Sequence, residues 1–216
     1  MSENINIVEE LNIKSEYFLL AKELLFRMQS TDVLTLPKLT IAVGGESGSG
    51  KSTSAYCLRE ELSTQGISST ILHMDSYFKL PPKDNHKRRT ESLDFVGPQE
   101  VDLEKINNHI SSFKNNEVEI QIPVVNYFDN NFTYRTIQLD SVDVLIIEGV
   151  YSFLLENLDL KIFLEKTYKH TLQNRLKRTR ENHEPLIETI LEIEHNIVKS
   201  LRSHADYIIA KDYSLL

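Results

Sequence analysis

Two periodicities alternate along most of this chain. Apolar runs of strand length occur at LTIAVGG (39–45), SSTILHMD (68–75), VDVLIIEGV (142–150), LKIFLE (160–165) and DYIIAK (206–211). VDVLIIEGV is nearly continuous in its apolar character, the pattern of a strand covered on both faces. Between these runs the spacing changes to that of helices: one ends near residue 64, one covers 98–115, a basic one runs to about 181, and one covers 185–202. The last begins at Pro185 and repeats Leu186, Ile190, Ile193, Ile197 and Leu201 along one side. Two short alternating runs, VEIQIPV (118–124) and YRTIQL (134–139), predict an antiparallel hairpin. The polar, proline-containing stretch at 79–99 predicts a loop. Ahead of the first strand, residues 5–29 carry Leu11, Phe18, Leu20, Leu24, Leu25 and Met28 at helical spacing, and TLPKL ends the pattern.

Strand and helix patterns in alternation predict an α/β fold: a doubly wound, mostly parallel sheet with helices on both faces and ligands at the carboxyl ends of the strands. The 216 residues suffice for one such domain at 39–216, preceded by a helical extension at 1–38. That helix leaves open whether it packs on its own domain or on another copy in a homo-oligomer.

Composition narrows the partners. A net charge of -8 repels a polyphosphate backbone and argues against nucleic acid. No run approaches a membrane span, and MSENINIVEE is acidic where a secretory signal is basic, so a cytoplasmic protein with no membrane partner is expected. The single cysteine, Cys57, excludes an internal disulfide and points to a buried structural role. Positive charge is concentrated at HKRR (86–89) and RLKRTR (175–180), a pattern consistent with local anion binding.

The chemistry begins directly after the first strand. GGESGSGKST (44–53) matches G-x-x-x-x-G-K-[ST] in full, between a β-rich run and a helix-compatible one. Gly45, Glu46, Ser47, Gly48, Ser49 and Gly50 supply a loop whose N–H groups can face phosphate oxygens, and the following helix adds its positive end. Lys51 can bridge the β- and γ-phosphates of ATP, and Ser52, followed by Thr53, can ligate Mg²⁺. The fold is therefore expected to be of the P-loop NTPase type, with the hairpin and a lid as small insertions. Two other strand ends carry carboxylates, Asp75 and Glu148, on the same sheet edge. One of them can accept a proton from an attacking hydroxyl while the other helps to hold the metal. Arg178 and Arg180 are the candidates for lid residues that stabilise the transferred charge, Arg178 catalytic and Arg180 on the nucleotide.

GGESGSGKST, MDSYF, DFVGPQEVD, IPVVNYFDNNFTYR, IIEGVY, RLKRTRE and ADYII, in this order, resemble the uridine kinase and phosphoribulokinase family of P-loop kinases. The resemblance covers about 39–210 and implies that Asp75 is the base on an acceptor hydroxyl, with Tyr77 lining the acceptor pocket or serving as a core aromatic. It implies acceptor contacts for Arg135 and for Asp94, though Asp94 stands at a different spacing, and the hairpin offers Tyr127 as a further acceptor contact. Uridine kinases place a tyrosine where Val125 stands, with Tyr127 two residues later, and their E-R-G-R lid segment is absent. The expected activity is transfer of the γ-phosphoryl group of MgATP to an alcohol of a nucleoside or other ribose-like small molecule. A kinase of another sugar, sugar phosphate or vitamin precursor is the alternative, as is a module that binds nucleotide without turnover. A GTP switch is disfavoured because no N-K-x-D segment occurs.

Overall fold

A computed structural model of the protein describes residues 13–171 and 185–216. Its centre is a sheet of five strands, β1 (Leu39–Gly45), β2 (Ser69–His73), β5 (Val144–Glu148), β6 (Leu160–Leu164) and β7 (Tyr207–Ile209), in the order β2-β5-β1-β6-β7. All four neighbouring pairs are parallel. Every residue of β1 and β5 is buried, as nearly continuous apolar runs require when helices cover both faces. A separate antiparallel hairpin joins β3 (Glu119–Asn126) to β4 (Asn131–Gln138).

Strand alternation sorts the apolar side chains into two cores. Ile41, Val43 and Ile146 face α1 (Ser15–Ser30) and α2 (Lys51–Thr64), meeting Leu20, Leu24 and Met28 from the first helix and Ala55, Leu58 and Leu62 from the second. Ala42, Leu145 and Ile147 face the other way, toward Ile106, Ile110 and Phe113 of α4 (Leu103–Lys114) and Val198 of α5 (Pro185–Leu201). Helix α1 thus shares a core with the sheet. Cys57 lies wholly buried in α2, and its burial, reinforced by Glu60, pushes the thiol pKa up to about 11.

Two sequence expectations change. The stretch 79–99 contains a helix, α3 (Pro82–Glu91), with Pro82 in its first turn, Asp84 beside the positive end and Arg88 and Arg89 in the last turn. It lacks an apolar stripe, so periodicity could not reveal it. The helix expected from residue 98 starts at Leu103, where Asp102 accepts the Lys105 N–H at 3.0 Å as an N-cap. Residues Pro98–Glu100 form a separate 3₁₀ turn. The N-terminal pattern before residue 13 lies outside the described residues. Among the described residues, no helix is long and apolar enough to cross a membrane.

Strand register places the site. Val43 and His73 both pair with Glu148, so β5 and β2 end at one level and β1 runs on past it to Gly45. The phosphate loop follows β1, and Asp75 lies two residues beyond β2 in a 3₁₀ turn, Met74–Tyr77.

Candidate active site

The loop 44–50 owes its shape to backbone that side chains rarely adopt. Gly45 has φ +143°, and a Cβ there would stand 2.9 Å from the Leu164 carbonyl oxygen. Gly50 has φ +103°, and a Cβ would stand 2.6 Å from the Tyr17 hydroxyl. Tyr17, carried by α1, therefore seats against the end of the loop, and its hydroxyl bonds that of Tyr213 at 2.5 Å. Helix α2 begins at Lys51, which turns the helix N-terminus toward the loop. The Ser49 hydroxyl is fully buried there and has no hydrogen-bond partner among the described residues. A tight glycine cradle, a helix N-terminus and an orphaned hydroxyl fit a phosphate chain.

Lys51, 8% exposed, donates from Nζ to the Glu46 carbonyl at 2.9 Å. The Ser52 hydroxyl donates to Glu148 Oε1 at 3.1 Å, and His73 Nδ1 lies 2.8 Å from the same oxygen. Burial on its own would raise the Glu148 pKa. The His73 bond and charge, the Lys51 charge and the Ser52 hydroxyl outweigh it, so the carboxyl stays below the usual range and is ionised. A hydroxyl and an ionised carboxylate side by side form an all-oxygen donor pair that fits Mg²⁺.

Asp75 is exposed at the sheet edge, and the Tyr127 hydroxyl donates to its Oδ2 at 3.2 Å. The hairpin supplies Tyr127 from its turn, and the hairpin is fixed beside Asp75 by the Val125 N–H donating to Ser76 Oγ at 3.2 Å. Asn130 binds the start of α3 through the Lys83 N–H at 2.7 Å. Arg135 is exposed on β4, close enough for its charge to act on Tyr77. Tyr77 itself is 2% exposed and packs in the core, its hydroxyl bonded to His109 Nδ1 at 2.9 Å. Of its two sequence readings, this packing is that of the core aromatic. Asp94 is exposed in the turn Leu93–Phe95, where it engages Ser92 at 3.1 Å. Arg175, Arg178 and Arg180 lie outside the described residues.

Sequence reasoning missed a buried polar cluster near the loop and Asp75. Arg89 of α3 holds Glu100 through two bonds, 2.5 and 2.8 Å, and reaches Glu194 of α5 at 3.3 Å. Glu100 also accepts from Asn85 Nδ2 at 2.9 Å and from the Gly97 N–H at 2.8 Å. Arg89 of the HKRR run therefore answers the protein's own carboxylates. Arg88 lies over the Phe95 ring at 4.0 Å. No sequence period announces this cluster, because its members come from three separate elements, α3, the turn at 98–100 and α5.

A parallel sheet that carries a glycine phosphate loop at the end of its central strand defines a P-loop nucleotide-binding domain. The chain belongs to the phosphoribulokinase / uridine kinase family, whose model matches residues 40–210, and members of this family are kinases. It is 25% identical over 181 residues to a uridine kinase of Staphylococcus epidermidis, a match covering 78% of this chain and 86% of that protein. It is 26% identical over 192 residues to a bifunctional α-galactosidase/sucrose kinase of Mediterraneibacter gnavus, covering 82% of this chain but only 20% of that longer protein. The phosphoribulokinase of Rhodobacter spheroides shares the fold with a TM-score of 0.60 at 17% identity, over 81% of this chain and 70% of that one.

Proposed function

We propose that this protein transfers the γ-phosphoryl group of ATP to an alcohol on a small polyhydroxylated acceptor of nucleoside or sugar type. The observation that carries the reading is the position of Asp75: an exposed carboxylate, held by Tyr127, at the same sheet edge as the phosphate loop and Glu148. In-line transfer needs little covalent help from the protein and depends on position and charge. The loop amides and Lys51 bind the phosphates. Ser52 and Glu148 would hold Mg²⁺, which when bound neutralises charge on the phosphate oxygens. Asp75 accepts the proton of the attacking hydroxyl, and Tyr127 fixes the carboxylate for that task. Asp94, Tyr127 and Arg135 are the acceptor contacts of this reading, and Arg178 and Arg180 are its lid arginines.

The acceptor class has two branches. Similarity to a uridine kinase favours a nucleoside. Similarity to a sucrose kinase favours a sugar. The deciding experiment measures ATP-dependent phosphorylation of uridine, cytidine, sucrose, fructose, ribulose 5-phosphate and glycerate by mass spectrometry. One phosphorylated member identifies the branch; MgATP binding with no alcohol phosphorylated would leave a nucleotide-binding module without turnover.

A further inference from the structure

Glu46 stands out within the phosphate loop because it brings a negative charge to a place built for anions. Its side chain is 7% exposed. Both oxygens are engaged: Oε2 accepts the Tyr168 N–H at 2.6 Å, and Oε1 lies 2.6 Å from His195 Nδ1. The Tyr168 amide opens the helical turn 168–171. His195 comes from α5 and meets the Tyr168 ring edge-on at 5.8 Å. The adjacent loop carbonyl is tied as well, since Thr171 Oγ1 donates to the Ser47 oxygen at 3.0 Å. The Glu46 carbonyl meanwhile accepts from Lys51 Nζ at 2.9 Å and from the Ser49 N–H at 3.1 Å. One residue thus joins the loop, the phosphate-binding lysine, the turn after β6 and α5.

We propose that Glu46 and His195 form a hydrogen-bonded clamp that positions the phosphate loop for nucleotide, with His195 masking the Glu46 carboxylate from the bound phosphates. The inference rests on the loop being the nucleotide site. Glu46 and His195 are positioning residues in it, since their side chains contact the protein itself. Electrostatics gives the pair a signature that simple packing lacks. A buried carboxylate that loses its imidazole partner keeps its charge with less to offset it, and within a phosphate loop that charge repels phosphates. Removal of His195 should therefore harm nucleotide binding mainly through Glu46. Neutralising Glu46 as well should undo much of that harm.

The test is MgADP affinity, measured by isothermal titration calorimetry on the full chain for wild type, Glu46→Gln, His195→Ala and the double variant, with circular dichroism as the check on folding. His195→Asn serves in place of His195→Ala if the latter does not fold. His195→Ala should weaken binding by roughly tenfold or more, and Glu46→Gln should weaken it less, since its amide still accepts the Tyr168 N–H. The double variant should bind MgADP more tightly than His195→Ala alone. Equal or additive losses in the double variant would overturn the clamp while leaving the loop assignment intact. A wild type that binds no MgADP would overturn both.

Discussion

At the scale of single residues, the proposed function gives Lys51 the phosphates and the ionised Glu148 the metal. Lys51→Ala should cost at least about tenfold in MgATP affinity and nearly all turnover, because it removes the charge that bridges the β- and γ-phosphates. Fluorescence titration with a nucleotide analogue checks this, and unchanged affinity would contradict it. Glu148→Gln should leave nucleotide affinity in excess Mg²⁺ near wild type and shift the Mg²⁺ concentration needed for half-maximal turnover upward. Glu194 offers a pH test. Burial, with the charges of Glu100 and Asp75, raises its pKa above the usual carboxylate value, against the pull of Arg89 and Lys51. A raised folded-state pKa means that its stabilising contribution is complete below the unfolded value of roughly 4.3 and is lost as pH rises through the folded value. Glu194→Gln should remove that loss. Urea unfolding of both proteins across this window should show wild type losing stability relative to the variant, and a pH-independent difference would contradict it.

At the scale of elements, legibility followed apolar periodicity. The strands, α2, α5 and the hairpin each carry a repeating apolar pattern, and each formed where its pattern stood. Helix α3 carries none: its sequence PKDNHKRRTE contains no large aliphatic residue, and it is held by Asn85 and Arg89 reaching Glu100. Polar anchoring of this kind depends on residues distant in sequence and leaves no period to read. Helix α1 was legible as a helix, whereas its destination was not, since an amphipathic face does not name its partner. The structure buries Leu24 to 1% and Met28 to 0% against β1 and α2. Leu24→Ala and Met28→Ala should each cost about 2–5 kcal/mol of unfolding free energy. Chemical denaturation measures this directly, and a loss below about 0.5 kcal/mol, the range of surface substitutions, would show that α1 contributes little to the core.

At the scale of the whole molecule, the site is a consequence of strand register. Aligning Val43, Glu148 and His73 brings to one edge three groups spread between residues 44 and 148, the phosphate loop, Glu148 and, through the 3₁₀ turn, Asp75. These three were legible in the sequence because a doubly wound sheet puts every strand's carboxyl end on one side. The Glu46 to His195 contact and the Arg89 cluster were not, since both depend on where α5 crosses the sheet. The proposed function has Asp75 activate an acceptor hydroxyl beside bound nucleotide. Its most direct test is single-turnover transfer from γ-labelled ATP to the alcohol that the acceptor panel identifies, comparing wild type with Asp75→Asn while MgATP affinity is measured in parallel. Asp75→Asn should lower the rate of transfer by roughly two orders of magnitude or more, with MgATP affinity near that of wild type. Near-normal transfer by Asp75→Asn would contradict it.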